Sequence, residues 1–241
     1  MKTINKTGLL LSVFAPTFVL NVVYFVLGHF IKMPNLLLFC IIATFTMVPI
    51  ELGIILNTSK KETGKYSLAS ALAGQEKMPL WKIVIIAFVL FGIAGLFSVT
   101  IAPLENFLFS GLRSDLLSHL PTGFDWTDYE YLRTFSKPVL VVTCIYYFVF
   151  NVFAGPVTEE LFFRGYLTSH YNKQTIFTPI LIAILFSLYH FWLPFNNIFR
   201  IMAFAPAAYV AYKKKNIYIS IWFHCMCNLF SVVGFVMEVM R

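Results

Sequence analysis

Long apolar runs and short polar interruptions follow one another along the whole chain. The runs cover about Gly8 to Phe30, Leu36 to Leu56, Ile83 to Ala102, Val139 to about Tyr171, Ile176 to Trp192, Ile198 to Tyr212 and Ile217 to Val239. An α-helix needs roughly 20 apolar residues to cross a bilayer core, and the runs are of that order. The pattern predicts an all-α polytopic membrane protein with seven crossings. The fourth run contains Gly155-Pro156, and proline kinks or breaks a helix in such a position. Counting the two halves of that kinked helix separately gives a bundle of about seven to eight transmembrane helices.

The interruptions orient the bundle. The loop that begins "NTSKKETGKYS" carries Lys60, Lys61 and Lys65 and leads on to Lys77 and Lys82. Cytoplasmic loops gather such charge, so this loop is placed in the cytoplasm, and the N-terminus with it, which Lys2 and Lys6 support. The segment from Pro103 to Pro138 holds more acids than bases. It reads as an outer loop with a short amphipathic helix over Leu104 to Leu120 lying on the interface, its Trp126, Tyr129 and Tyr131 at headgroup level. Splitting the fourth run into two spans would put Lys173 and Lys213 to Lys215 outside, so a single broken helix from Val139 to about Tyr171 is preferred.

Composition sharpens the class. The chain is 59 % hydrophobic and 12 % charged over 241 residues, and a soluble domain carries about twice that charge. The net charge of +7 does not point to nucleic acid, because the lysines sit at span ends and in one loop. No cleavable signal peptide is evident, so the first span is expected to stay. There is no repeat, no low-complexity tract and no separate soluble domain, and residues 1–241 read as a single transmembrane domain. Cys40, Cys144, Cys225 and Cys227 all lie in apolar segments and read as small core hydrophobes. Cys225 and Cys227 fall about 200° apart around a helix, a poor geometry for a metal pair.

Against this background a few polar groups are costly. Glu159, Glu160, Arg164, His190, His224 and Asn228 fall at membrane depth, with Glu51 and the terminal Glu238. Ionisable groups there usually face a cavity or one another. At a rise of about 1.5 Å per residue, Glu159, His190 and Asn228 each lie about 20 Å from the lysine-bearing end of their helix, and His224 about 14 Å. Three helices thus bring polar groups to one level. Glu160 and Arg164 are spaced i,i+4 and can form a structural ion pair, which leaves Glu159 as the surplus carboxylate. His224 and Asn228 share a face by the same spacing, though Asn228 could equally be helix-packing glue. Glu51, after Pro49, is expected to pack or snorkel near the cytoplasmic end. His29 and His119 read as surface or interface groups.

A desolvated glutamate suits a general base. A Glu and a His converging on one water could deprotonate it for attack on a carbonyl, while a second His and an Asn donate to the oxyanion that forms. The same Glu159, His190 and His224 also meet the ligand count of a catalytic zinc site. The chain has no H-E-x-x-H helix, the commonest zinc-protease pattern. With Glu160 assigned to Arg164, the histidines are expected to lack the carboxylate partners that zinc-bound histidines use. The metal-free scheme is therefore favoured, with no cofactor.

These residues resemble the CPBP family of CAAX-processing and bacteriocin-processing intramembrane proteases. Its pattern of E-E-x-x-x-R, F-x-x-x-H and H-x-x-x-N is matched by "EELFFR" from Glu159, "FSLYH" from Phe186 and "HCMCN" from His224. The resemblance implies a catalytic core over about 138–241 and a variable N-terminal part over about 1–137. It implies catalytic roles for Glu159 as base, His190 assisting, and His224 with Asn228 at the oxyanion, supported by Glu160 and Arg164. It implies a glutamate-type endopeptidase acting on a membrane-associated peptide or lipidated tail, in an integral multi-pass protein of the bacterial cell membrane whose partners are that substrate and the bilayer. A non-proteolytic membrane protein conferring bacteriocin immunity, or acting as a scaffold for a partner, is the alternative.

Overall fold

The computed structural model describes residues 3–241; Lys2, counted above among the N-terminal charges, lies outside them. The chain is an all-α membrane bundle, with no strand among the described residues beyond an isolated bridge between Ile4 and Tyr171. The helices are α1 (Lys6–Gly28), α2 (Asn35–Phe45), α3 (Met47–Thr63), α4 (Ala69–Leu72), α5 (Leu80–Ser118), α6 (Tyr129–Leu132), α7 (Lys137–His170), α8 (Thr178–Leu188), α9 (Asn197–Lys213) and α10 (Tyr218–Val239). Five segments are long and apolar enough to cross a membrane: Lys6–Gly28, Asn35–Thr63, Leu80–Ser118, Lys137–His170 and Tyr218–Val239. Among the described residues α8 (11 residues) and α9 (17 residues) fall short of the 18 that this measure requires, so it does not confirm the count of seven to eight.

The helices are apolar on both faces, as lipid requires. In α1, Leu9, Val13, Leu20 and Tyr24 form a buried stripe at helical spacing, while Leu11 and Phe18 on the far side are exposed. An amphipathic helix of a soluble protein would place charge there. One apolar core runs from Leu9 to Val239, so the N-terminal helices and the C-terminal ones share it.

Two local expectations are corrected. First, α5 continues from Leu80 through Pro103 to Ser118 as one helix, so the separate interfacial helix over 104–120 does not exist. At about 1.5 Å per residue it is almost 60 Å long. Its Glu105, expected in an outer loop, is buried and accepts from the backbone N–H groups of Ile198 (2.9 Å) and Phe199 (2.8 Å), capping α9. Trp126 turns inward in the same way, donating to the Tyr24 hydroxyl at 2.9 Å.

Second, α7 does not break at Gly155-Pro156. The α-helical turn Gly155–Glu160 lies between two π-helical stretches, Phe150–Ala154 and Leu161–Leu167. The wider π turns accommodate the proline and keep the helical path continuous; such turns recur at functional sites. The stretch from Thr158 to Thr168 is buried throughout, which makes α7 the central helix.

The lysine-bearing loops gather at one end and close it. Ile4 N–H donates to the His170 carbonyl (2.7 Å), Glu76 N–H to that of Lys215 (2.7 Å), and the Asn216 amide to that of Glu76 (2.9 Å). Behind them α4 packs on the second π stretch. A Cβ at Gly165 would stand 2.6 Å from the Ala71 carbonyl oxygen, so only glycine permits that approach.

Candidate active site

Glu159, His190, His224 and Asn228 line one cavity of about 740 Å³. Its walls also include Met47 of α3, Phe91 of α5, Asn151 and Pro156 of α7, and Phe204 of α9. From the polar groups the lining rises to Trp126 and Gly234, away from the lysine-bearing end. The contacts of α4 and of Ile4 with Tyr171 occupy the lysine-bearing end.

Glu160 is the hinge of the polar cluster. Its Oε1 accepts from Nδ1 of His224 at 3.0 Å, and its Oε2 lies 3.2 Å from Nε of Arg164. The arginine contact is an ion pair rather than an aligned hydrogen bond, since neither atom has a well-directed partner. The guanidinium instead stacks over Phe186, 4.2 Å from the ring centroid, a favourable cation–π arrangement. His224 then reaches on to Glu159, its Nε2 3.6 Å from Oε2. The row Arg164, Glu160, His224, Glu159 thus links the supporting pair, which does not line the cavity, to the carboxylate that does.

The row holds two carboxylates and one guanidinium, and Arg200 on the cavity wall adds a second cation whose charge Glu159 reaches.

His190 is set by the chain around it. The α8 helix stops at Leu188; the carbonyl of Tyr189 accepts from the Thr17 hydroxyl of α1 at 2.7 Å. His190 then places Nδ1 2.7 Å from the Phe186 carbonyl. A carbonyl only accepts, so Nδ1 carries the proton and Nε2 of the neutral ring presents a lone pair. Asn228 donates one amide N–H to the Asn151 carbonyl at 2.8 Å and retains a second. Cys227 lines the cavity and Cys225 does not, as their separation around the helix requires.

Sequence reasoning missed three groups. Tyr189 is fully buried and donates to Oε1 of Glu159 at 2.6 Å; being aromatic beside a motif histidine, it carried no polar signal of its own. Arg200 lines the cavity; it falls inside the run from Ile198 and was not among the costly groups singled out there. Glu105 was assigned to a loop. Glu51 is a correction: it is fully buried and neither of its oxygens has a partner. With α3 running on to Thr63, it stands about 18 Å from that helix end, too deep to snorkel.

The expectation that both histidines lack a carboxylate partner fails at His224, because Glu160 serves Arg164 and His224 with different oxygens. Among the described residues no group of three or more His, Cys, Asp or Glu side chains is arranged to hold a metal ion.

Residues 141–230 match the family model described as type II CAAX prenyl endopeptidase Rce1-like. No curated protein and no solved structure gives a match to the chain. All six motif residues, from Glu159 to Asn228, fall inside the matched segment. That segment of the membrane bundle, which carries the site, is similar to the Rce1-like type II CAAX prenyl endopeptidases, a family of peptidases.

Proposed function

We propose that the chain is an intramembrane endopeptidase that hydrolyses a peptide bond of a membrane-associated peptide or lipidated tail with a water activated by Glu159. The observation that carries this reading is His224 standing between Glu160 and Glu159 where the cavity also meets His190 and Asn228. In the reactive form of this scheme His224 carries a proton on each ring nitrogen. Glu159 is then the anion, held through Oε1 by Tyr189, and takes a proton from water, with the Nε2 lone pair of His190 assisting. The hydroxide attacks the carbonyl carbon. The oxyanion that forms accepts from Nε2–H of His224 and the second amide N–H of Asn228, donors fixed in advance in a water-poor site. Collapse breaks the C–N bond, and the proton on Glu159 passes to the leaving amine. No metal enters the scheme. Lysine placement supports an N-terminus in the cytoplasm.

The deciding experiment is cleavage of a prenylated peptide by purified full-length protein in detergent, wild type against Glu159→Gln. Loss of turnover in a folded variant is expected. Undiminished cleavage would remove Glu159 from the reaction.

A further inference from the structure

The bundle buries two arginines within its helices, and they are treated differently. Arg164 has Glu160 beside it, stacks on Phe186 and does not line the cavity. Arg200, one turn into α9, is 8 % exposed and does line it. Its Nη1 lies 3.1 Å from the Ser187 carbonyl and 3.4 Å from Oδ1 of Asn197, and its Nη2 3.4 Å from the Leu193 carbonyl. All three acceptors are neutral, and among the described residues no carboxylate comes within ion-pair distance of it.

The acids whose charge reaches Arg200 are Glu159 and Glu105, and both are engaged elsewhere. Glu105 holds two backbone N–H groups of α9, and Glu159 holds Tyr189 and faces His224. A guanidinium stays charged at any ordinary pH and presents five N–H donors in a planar fork. Its three contacts leave donors over, on a residue that lines the cavity. Arg200 thus has carboxylates near it but none in contact, and a guanidinium on the wall of the reaction cavity is left able to take a direct anionic partner.

The rest of that wall narrows the choice of anion. Phe39, Phe91, Trp192, Phe199 and Phe204 make it apolar and aromatic, suited to the side chains of a hydrophobic peptide. A peptide with no acidic side chain still carries one anion, its C-terminal carboxylate, whose two oxygens match the guanidinium fork. Resting on the peptidase reading above, we propose that Arg200 holds the free C-terminal carboxylate of the substrate while the scissile bond lies against Glu159. Arg200 is then a specificity residue that selects chain ends over internal segments.

The test uses one S-prenylated peptide made in two forms, ending in the free acid or in the amide, with the full-length protein in detergent. Cleavage by wild type gives KM for each form, and a fluorescent version reports binding to Glu159→Gln protein. A lost charge-assisted contact should raise KM and weaken binding for the amide about ten- to a hundred-fold. Arg200→Gln should bring the two forms level, and Arg200→Lys should keep part of the preference. Equal binding and KM in wild type would overturn the proposal, and needs no variant that might misfold. So would a preference that survives Arg200→Gln, or a loss of kcat on both forms alike, which would assign Arg200 to the reacting oxyanion. If neither form is cleaved but Glu159→Gln protein still prefers the acid, the carboxylate seat stands and the peptidase reading falls.

Discussion

The Tyr189 hydroxyl donates to Oε1 of Glu159 at 2.6 Å, from a ring that is completely buried. The ring is fixed by Phe163 at 4.9 Å and Trp192 at 5.6 Å between centroids. Oε2 of Glu159 is thereby left facing His224 and the cavity. Tyr189→Phe keeps the packing and removes the donor. Turnover should fall about ten- to a hundred-fold, the worth of one hydrogen bond to a charged group. KM should change little, and thermal unfolding in detergent should show a folded protein. An unaltered kcat would mean that Glu159 needs no positioning.

Arg164 is tested through its neighbour. Removing it leaves Glu160 buried without its cation, and breaking a buried pair from one side costs about 3–5 kcal/mol. Arg164→Ala should therefore lower both the yield of folded protein and its unfolding temperature, together with activity. The double variant Arg164→Met, Glu160→Gln removes both charges and should recover part of the stability but not the activity, because His224 loses the carboxylate on Nδ1. A fully stable Arg164→Ala protein would refute the supporting role.

Much of the site was legible because polar residues in a lipid-facing sequence are few. Glu159, His190, His224 and Asn228 stand out by chemistry alone, and the rise of a helix brings them to one level. Tyr189 and Arg200 did not stand out. A tyrosine among 12 tyrosines and 27 phenylalanines announces nothing until its hydroxyl has a partner. An arginine near the start of an apolar run looks like a span boundary until the loop before it folds inward. The π turns were hidden for a related reason: Gly155-Pro156 signals an interruption of the α-helix, but a break and a widened turn satisfy that signal equally. The long α5 defied the reading at Pro103 because one missing N–H does not end a helix that packs against both α9 and α10.

Glu51 carries a prediction of opposite sign. A buried carboxyl whose two oxygens have no partner is a loss to the fold, of about 1–3 kcal/mol by analogy with other unsatisfied groups. Glu51→Leu fills similar space without the polar atoms and should raise the unfolding temperature while cleavage continues. A destabilised Glu51→Leu protein would show that the carboxyl has a partner, such as an internal water, worth more than its burial costs.

The last prediction concerns metal. Glu159 and His224 stand close enough to share an ion, and Glu160 on Nδ1 of His224 resembles the carboxylate that orients zinc-bound histidines. Two ligands do not make a catalytic zinc site, which uses three protein ligands and an open position. His190, the third candidate, has its Nδ1 fixed on the Phe186 carbonyl and belongs to no metal-holding group among the described residues. Cleavage by the purified protein should thus survive exhaustive treatment with a strong zinc chelator, and elemental analysis should find less than one metal per chain. Activity that vanishes with the chelator and returns with added zinc would overturn the water-activation scheme, and would require His190 to swing its Nε2 to an ion shared with Glu159 and His224.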